Sequence, residues 1–257
     1  MITREQIYNL AKKNKINETI ILREYLQILF LSVFYSFEQS QNVFFKGGTA
    51  IHLIFKAPRF SEDLDFTVNM PEKEFLGFIG NVFKDFSDRE EAVFKEKKTI
   101  AGRRFLLTSG TGALGYKTFV NLDFSFREKV LEPQKTIIET EYPVLFTAYV
   151  HHISKNEMLA EKIRAAMTRE RGRDLYDLWF LLSQNAEFDA ELTRKKLKYY
   201  NLGKISVKEI LKRINKFSEK EFILDMRPFI PYGQRENLGG LFAFVIDFLN
   251  NKLGKNY

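Results

Sequence analysis

Lys46-Gly47-Gly48-Thr49-Ala50 and, shortly after, Arg59-Phe60-Ser61-Glu62-Asp63-Leu64-Asp65-Phe66 are the two stretches from which the rest of the chain can be read. Residues 64–68 alternate apolar and polar, which predicts a strand whose alternate side chains share a face. Asp63 and Asp65 then project one way, while Leu64 and Phe66 enter the core. Neighbouring carboxylates repel, and a hard cation such as Mg²⁺ relieves the repulsion because it takes oxygen ligands. Upstream, residues 42–45 read as a short buried strand, the twin glycines break it, and residues 49–55 read as a helix that Pro58 stops. A glycine loop between a strand and a helix lets backbone N–H groups approach phosphate closely. Thr49 adds a hydroxyl donor there. Phosphate-binding candidates Gly47, Gly48 and Thr49 thus share one strand–loop–helix–strand unit with the carboxylate pair. Arg59 and Ser61 stand at the strand entrance, where they either contact phosphate or fix the entrance itself.

Working outward, residues 119–126 (Phe-Val-Asn-Leu-Asp-Phe-Ser-Phe) alternate well. Val120, Leu122, Phe124 and Phe126 are expected in the core, with Asn121, Asp123 and Ser125 on the opposite, polar face. A strand lying beside the Asp63–Asp65 strand would bring Asp123 to the same metal site as a third carboxylate. Residues 1–42 are helical in pattern, with Leu22, Leu26, Leu29 and Val33 forming one stripe. Residues 71–86 read as a helix, 93–126 as strands and 142–145 as a further extended piece. From about residue 153 the pattern turns helical, most clearly at 158–167 and 175–182, with 207–217 and 241–253 following. The expected architecture is α+β: a mixed-sheet core with flanking helices over residues 1–150, then a helical domain over 151–257.

In the helical part, Leu159, Ile163 and Ala166 make a buried stripe with Lys162 at its edge. Asp174, Asp177, Leu178 and Leu181 share a face of the next helix. Carboxylates aligned with leucines point inward and need cationic partners. Arg169 or Arg173 can supply them, pairing with Asp174 or Asp177 and fastening the helical part to the sheet. Alternatively, Lys162 binds nucleotide phosphates, with Arg169 and Asp174 bordering that site.

Composition sets outer limits. The 257 residues suffice for a sizeable core, and 45% are apolar. The 26 phenylalanines imply an aromatic-rich core. The absence of cysteine excludes disulfides, thiolate zinc sites and a cysteine nucleophile. Residues 1–6 lack the apolar core of a signal peptide, and residues 20–37 are too polar to span a bilayer, so a soluble, cytoplasmic protein without membrane association is expected. The net charge of +7 favours polyanionic partners.

Several tempting signals carry less. Residues 110–115 match G-x-G-x-x-G, but a strand rather than a helix follows, so a hairpin loop is expected and a dinucleotide site is not. His151-His152 read as linker, since adjacent histidines on a strand point apart. His52 reads as packing or as a neighbour of the nucleotide. Arg194-Lys195-Lys196 with Lys198, Tyr199 and Tyr200 either track a polynucleotide backbone or form a solvated helix face.

The two quoted stretches resemble the nucleotidyltransferase superfamily related to polymerase beta, in which a glycine loop precedes an Asp-x-Asp strand. More closely, the Gly-Gly-Thr-Ala loop, the Arg-x-Ser-x-Asp-Leu-Asp strand and the later Ala160-Glu161-Lys162-Ile163-Arg164-Ala165 and Arg173-Asp174-Leu175-Tyr176-Asp177-Leu178 are similar to the AbiEii/AbiGii toxin family. The resemblance runs from about residue 20 to residue 182. It implies a nucleotidyltransferase fold and transfer of a nucleoside monophosphate from an NTP to a hydroxyl. Mg²⁺ or Mn²⁺ would sit on Asp63, Asp65 and Asp123. It further implies a catalytic role for Lys162 and for the spacing that Arg169 and Asp174 satisfy, a cognate antitoxin as partner, and RNA, including the tRNA 3′ end, as acceptor. Two alternatives remain open: a small-molecule acceptor such as an aminoglycoside, which calls for an acidic cleft, and a non-catalytic nucleotide-binding module of the same fold.

Overall fold

The structure, a computed structural model, describes residues 2–110 and 117–254. The chain divides into two compact units, Met1–Ile153 and Ser154–Tyr257.

The first unit opens with α1 (Arg4–Asn14), whose Thr3 and Gln6 form a reciprocal capping box, and α2 (Glu18–Phe34), capped by Asn17. A 3-10 turn leads into β1 (Val43–Lys46), α3 (Gly47–Leu53), β2 (Leu64–Val68) and α4 (Glu72–Arg89). Then come β3 (Ala92–Lys97), β4 (Arg103–Ser109), β5 (Thr118–Ser125), β6 (Pro133–Thr136) and β7 (Val150–Ile153). The strands form one mixed sheet in the order β3-β4-β5-β2-β1-β7-β6. β2 runs parallel to β5 and β1 parallel to β7, and the other neighbours are antiparallel.

The phenylalanines explain how the sheet acquires its helical cover. Phe66 and Phe124, on adjacent strands, stack at 4.8 Å with nearly parallel rings. Phe34 of α2 and Phe75 of α4 pack onto this pair at 5.3 and 4.8 Å. Because side chains alternate along a strand, this aromatic face commits Asp65 and Asp123 to the other one.

The second unit contains α5 (Lys155–Thr168), α6 (Gly172–Ser183), α7 (Ala190–Lys198), α8 (Val207–Ile214), α9 (Glu219–Met226) and α10 (Leu238–Gly254). Gly172 lets α6 approach α9, since a Cβ there would stand 2.5 Å from the Phe222 Cα. No helix among the described residues is long and apolar enough to cross a membrane.

Three sequence expectations change. Residues 142–145 form no strand, because Tyr142 is instead buried as a hydrogen-bond donor to Glu24 of α2. The sheet gains β6 and β7 in their place, so His151-His152 lie in a strand beside β1 rather than in a linker. The basic stretch of α7 is not uniformly solvated: Lys196 is fully buried between Glu157 at 2.5 Å and Glu161 at 3.0 Å. The expected loop at 110–115 falls almost entirely outside the described residues.

Candidate active site

The sheet register assembles the site. β2 and β5 run side by side with Leu64 opposite Leu122 and Asp65 opposite Asp123. Asp65 is also the partner of Lys46 on β1, and Asp123 that of Arg104 on β4. Residues paired across strands share a face, so Lys46, Asp65, Asp123 and Arg104 form one transverse row, with two carboxylates flanked by two cations. Asp63 stands one residue before β2 and joins the group sideways. Its Oδ1 accepts a hydrogen bond of 2.9 Å from Asn121 Nδ2, and Asn121 lies on the same face of β5 as Asp123. Its backbone carbonyl accepts a bond of 2.5 Å from the Thr49 hydroxyl. The three sequence-predicted carboxylates are therefore neighbours, and Thr49 ties the start of α3 to them.

The glycines are there for space. Gly47 has φ +78°, and a Cβ on it would collide with the Asp65 carboxylate. A Cβ on Gly48 would stand 2.5 Å from Arg59 Nη2 and 2.9 Å from Ser61 Oγ. Only bare backbone lets the first turn of α3 press against Asp65, Arg59 and Ser61 together. Arg59 is buried and donates from Nη1 to the Phe60 carbonyl at 3.0 Å, which also fixes the strand entrance. The far end of α3 is anchored by His52. One ring nitrogen lies 3.0 Å from Glu24 and the other 2.5 Å from the Ala57 carbonyl, so this histidine is packed rather than presented to a ligand.

Charge balance in the row is uneven. Arg104 Nε donates to Asp123 Oδ1 at 2.6 Å. Lys46, at the other end, pairs with the buried Glu128 at 3.3 Å. Burial raises the Asp123 carboxyl above its ordinary value, Arg104 opposes this, and the negative charge of Asp63 adds to the rise. Among the described residues no three His, Asp or Glu side chains converge on one point. Asp65 and Asp123 are paired in register and Asp63 joins them through Asn121, but Asp123 is drawn toward Arg104. Asn121 and Arg104 are the residues that sequence reading left without a role. Strand alternation marks the face on which Asn121 lies, but nothing in the sequence states which strand β4 faces.

In the helical unit, Lys162, Asp174, Asp177 and Arg169 form a second cluster. Lys162 Nζ lies 3.0 Å from Asp174 and 2.7 Å from Asp177. Arg169 Nε and Nη2 reach the two oxygens of Asp174 at 2.7 and 3.0 Å. Burial alone would raise the Asp174 carboxyl, but the charge of Lys162 and the hydrogen bonds and charge of Arg169 outweigh it and hold the group well below the usual carboxylate range. The Arg173 guanidinium lies over the Phe229 ring at 4.7 Å.

Comparison with known proteins places this architecture. The chain superposes on MenT4, a nucleotidyltransferase toxin from Mycobacterium tuberculosis H37Rv, with a TM-score of 0.68 and 20% identity, over 98% of this chain and 90% of that one. It superposes on JHP933 from Helicobacter pylori with a TM-score of 0.60 and 20% identity, over 94% and 96% of the two chains. At such identities the likeness is one of fold. No curated protein matches the sequence significantly. Residues 29–236 match the family described as nucleotidyl transferase AbiEii toxin, type IV toxin–antitoxin system. With most of its length inside that match and the glycine loop, the Asp-x-Asp strand and the mixed sheet in place, the chain belongs to the AbiEii nucleotidyltransferase toxin family.

Proposed function

We propose that the protein transfers the nucleoside monophosphate of an NTP to an acceptor hydroxyl on RNA, the tRNA 3′ end being the first acceptor to test. In this reading it acts in the cytoplasm as a toxin restrained by a cognate antitoxin. The observation that carries the reading is the pairing of Asp65 with Asp123 on adjacent parallel strands, with Gly47 pressed against Asp65.

Asp63, Asp65 and Asp123 supply the oxygen donors that a hard divalent cation, Mg²⁺ or Mn²⁺, takes, and would hold it together once Asp123 turns from Arg104. All their donors are oxygens, and two like charges opposite each other across strands call for a cation. When bound, such an ion offsets phosphate charge and polarises the reacting phosphate. The chain's own residues do the rest. Gly47, Gly48 and Thr49 hold the triphosphate through first-turn N–H groups, which lack partners within the helix. Arg59 and Ser61, next to Gly48, strengthen that cradle. Asp123 orients the acceptor hydroxyl and draws off its proton. The hydroxyl oxygen attacks the α-phosphorus, the bond to the β-phosphate oxygen breaks, and pyrophosphate leaves. Lys162 and Asp174 serve the same reaction and Arg169 nucleotide binding, as the family resemblance implies. Within the helical unit, the buried Lys162 amine lies between Asp174 and Asp177, with Arg169 on Asp174. The net charge of +7 favours a polynucleotide over a cationic small molecule as acceptor.

The test is incubation of the full chain with labelled NTPs, Mg²⁺ and total RNA. Label should enter RNA, and an Asp63→Ala, Asp65→Ala double variant should transfer none. Full activity in the double variant overturns the assignment of the site. Label found only on protein or on a small molecule overturns the RNA acceptor.

A further inference from the structure

β4 supplies a group that the reaction outlined above does not use. Arg103 and Arg104 are consecutive, so they face opposite sides of the sheet. Arg103 is taken up by Glu72 and Glu96, each at 2.7 Å. Arg104 faces the carboxylate row, bonded to Asp123 and within the electrostatic pull of Asp63 and Asp65. At the other end of the row Lys46 pairs with the buried Glu128, while Arg104 is the cation bonded to Asp123. Its side chain is 45% exposed. An ion pair of that exposure is held weakly and can open into solvent at little cost.

We propose that Arg104 is a resident counter-ion of the carboxylate site, holding Asp123 while no divalent cation is bound and releasing it when one binds. The inference rests on the divalent-cation reading of Asp63, Asp65 and Asp123 given above. Asp65 and Asp123 face each other across strands, a placement that destabilises the sheet unless positive charge is near. The guanidinium supplies such charge to Asp123 in the resting protein. It also competes with the metal, because the cation binds only the fraction of molecules in which Asp123 is released, and its apparent affinity falls in proportion. The pair thus sets a threshold: the site fills when the cation is abundant or arrives with the NTP phosphates, and not otherwise.

The experiment is Mn²⁺ binding to the full-length chain without nucleotide, read from the loss of the free-ion electron paramagnetic resonance signal. Wild type, Arg104→Gln, Arg104→Lys and the Asp63→Ala, Asp65→Ala double variant are compared, each with a melting curve. The double variant should lose binding; if it binds Mn²⁺ like wild type, the metal reading fails whatever Arg104 does. With that control in place, Arg104→Gln should bind Mn²⁺ about three- to tenfold more tightly, from lost competition and lost like-charge repulsion. Arg104→Lys should fall between Arg104→Gln and wild type. Unchanged or weaker binding in Arg104→Gln overturns the proposal. Should that variant melt below the assay temperature, the wild-type protein decides. The ¹⁵N signal of the Arg104 Nε–H should shift on Mg²⁺ titration and stay fixed in the double variant. A signal that holds still through Mg²⁺ saturation overturns the proposal equally.

Discussion

Gly47 is constrained twice over, by a φ of +78° that side chains disfavour and by the Asp65 carboxylate occupying the space a Cβ would need. Gly47→Ala therefore cannot be absorbed by a rotamer change elsewhere; either the backbone turn or Asp65 must move. We expect about 1–3 kcal/mol of lost stability from the strained backbone. A displacement of Asp65 by about an ångström is expected to lower transfer by about 10²-fold. Melting curves and initial rates on the same preparation separate the two effects, and a fully active Gly47→Ala enzyme would show that Asp65 is not where the chemistry needs it. Asn121 offers a milder probe. It donates to Asp63 from a half-buried position on β5. Asn121→Ala should cost only about 1 kcal/mol, the worth of a single hydrogen bond. Its effect should fall on the rate more than on the melting temperature, because what is lost is the orientation of Asp63.

Among the elements, β2 and the helices were the legible part. The alternation of residues 64–68 coincides with the strand Leu64–Val68, because each apolar residue there is buried by a ring or an aliphatic chain. What the sequence does not show is register. That Asp65 meets Asp123, and Asp123 meets Arg104, depends on pairings between segments far apart in the chain, to which local periodicity is blind. Hence Asp123 is identifiable from the polar face of its strand, whereas Arg104 carries no local mark. β7 was missed for a related reason. Four residues are too few for a period, and His151-His152 gain their place only from the parallel neighbour β1. On α7 a run of cations suggested solvent, yet Lys196 is drawn inward by two glutamates of α5.

The α5–α6 pair supports a prediction at the same scale. Removing the Lys162 amine by Lys162→Met leaves Asp174 and Asp177 buried with one cation fewer, a change expected to cost about 3–5 kcal/mol. Trp179 on α6 is the single tryptophan of the chain, so its fluorescence during urea unfolding reports on this unit. The acid limb gives the sign. The Asp174 carboxyl is held lower in the folded state than its ordinary value of 3.8, so the stability it contributes is complete above that value. It is lost as pH falls below about 4 toward the depressed folded value. Asp174→Asn should flatten this part of the stability–pH curve. An unchanged slope between pH 4 and pH 2.5 would mean that the Lys162 and Arg169 contacts do not hold the carboxylate ionised.

For the whole molecule, charge is the property that separates the acceptor classes. The chain carries 40 basic and 33 acidic residues, and family membership makes it a nucleotidyltransferase toxin without saying what receives the nucleotide. A polynucleotide acceptor is bound partly by release of its condensed counterions, so its affinity falls steeply and linearly on logarithmic axes as salt rises. With a few phosphate contacts, raising salt from about 50 to 200 mM should weaken RNA binding on the order of 10–100-fold. If the NTP phosphates sit in the proposed glycine cradle, its KM should rise far less over the same range. Measuring both KM values against NaCl at fixed free Mg²⁺ makes the comparison internal to one enzyme preparation. A steep slope for RNA with a shallow one for NTP is the expected outcome. A flat slope for RNA would move the acceptor toward a small hydroxyl compound, recognised by shape and hydrogen bonds rather than by the basic excess of the surface.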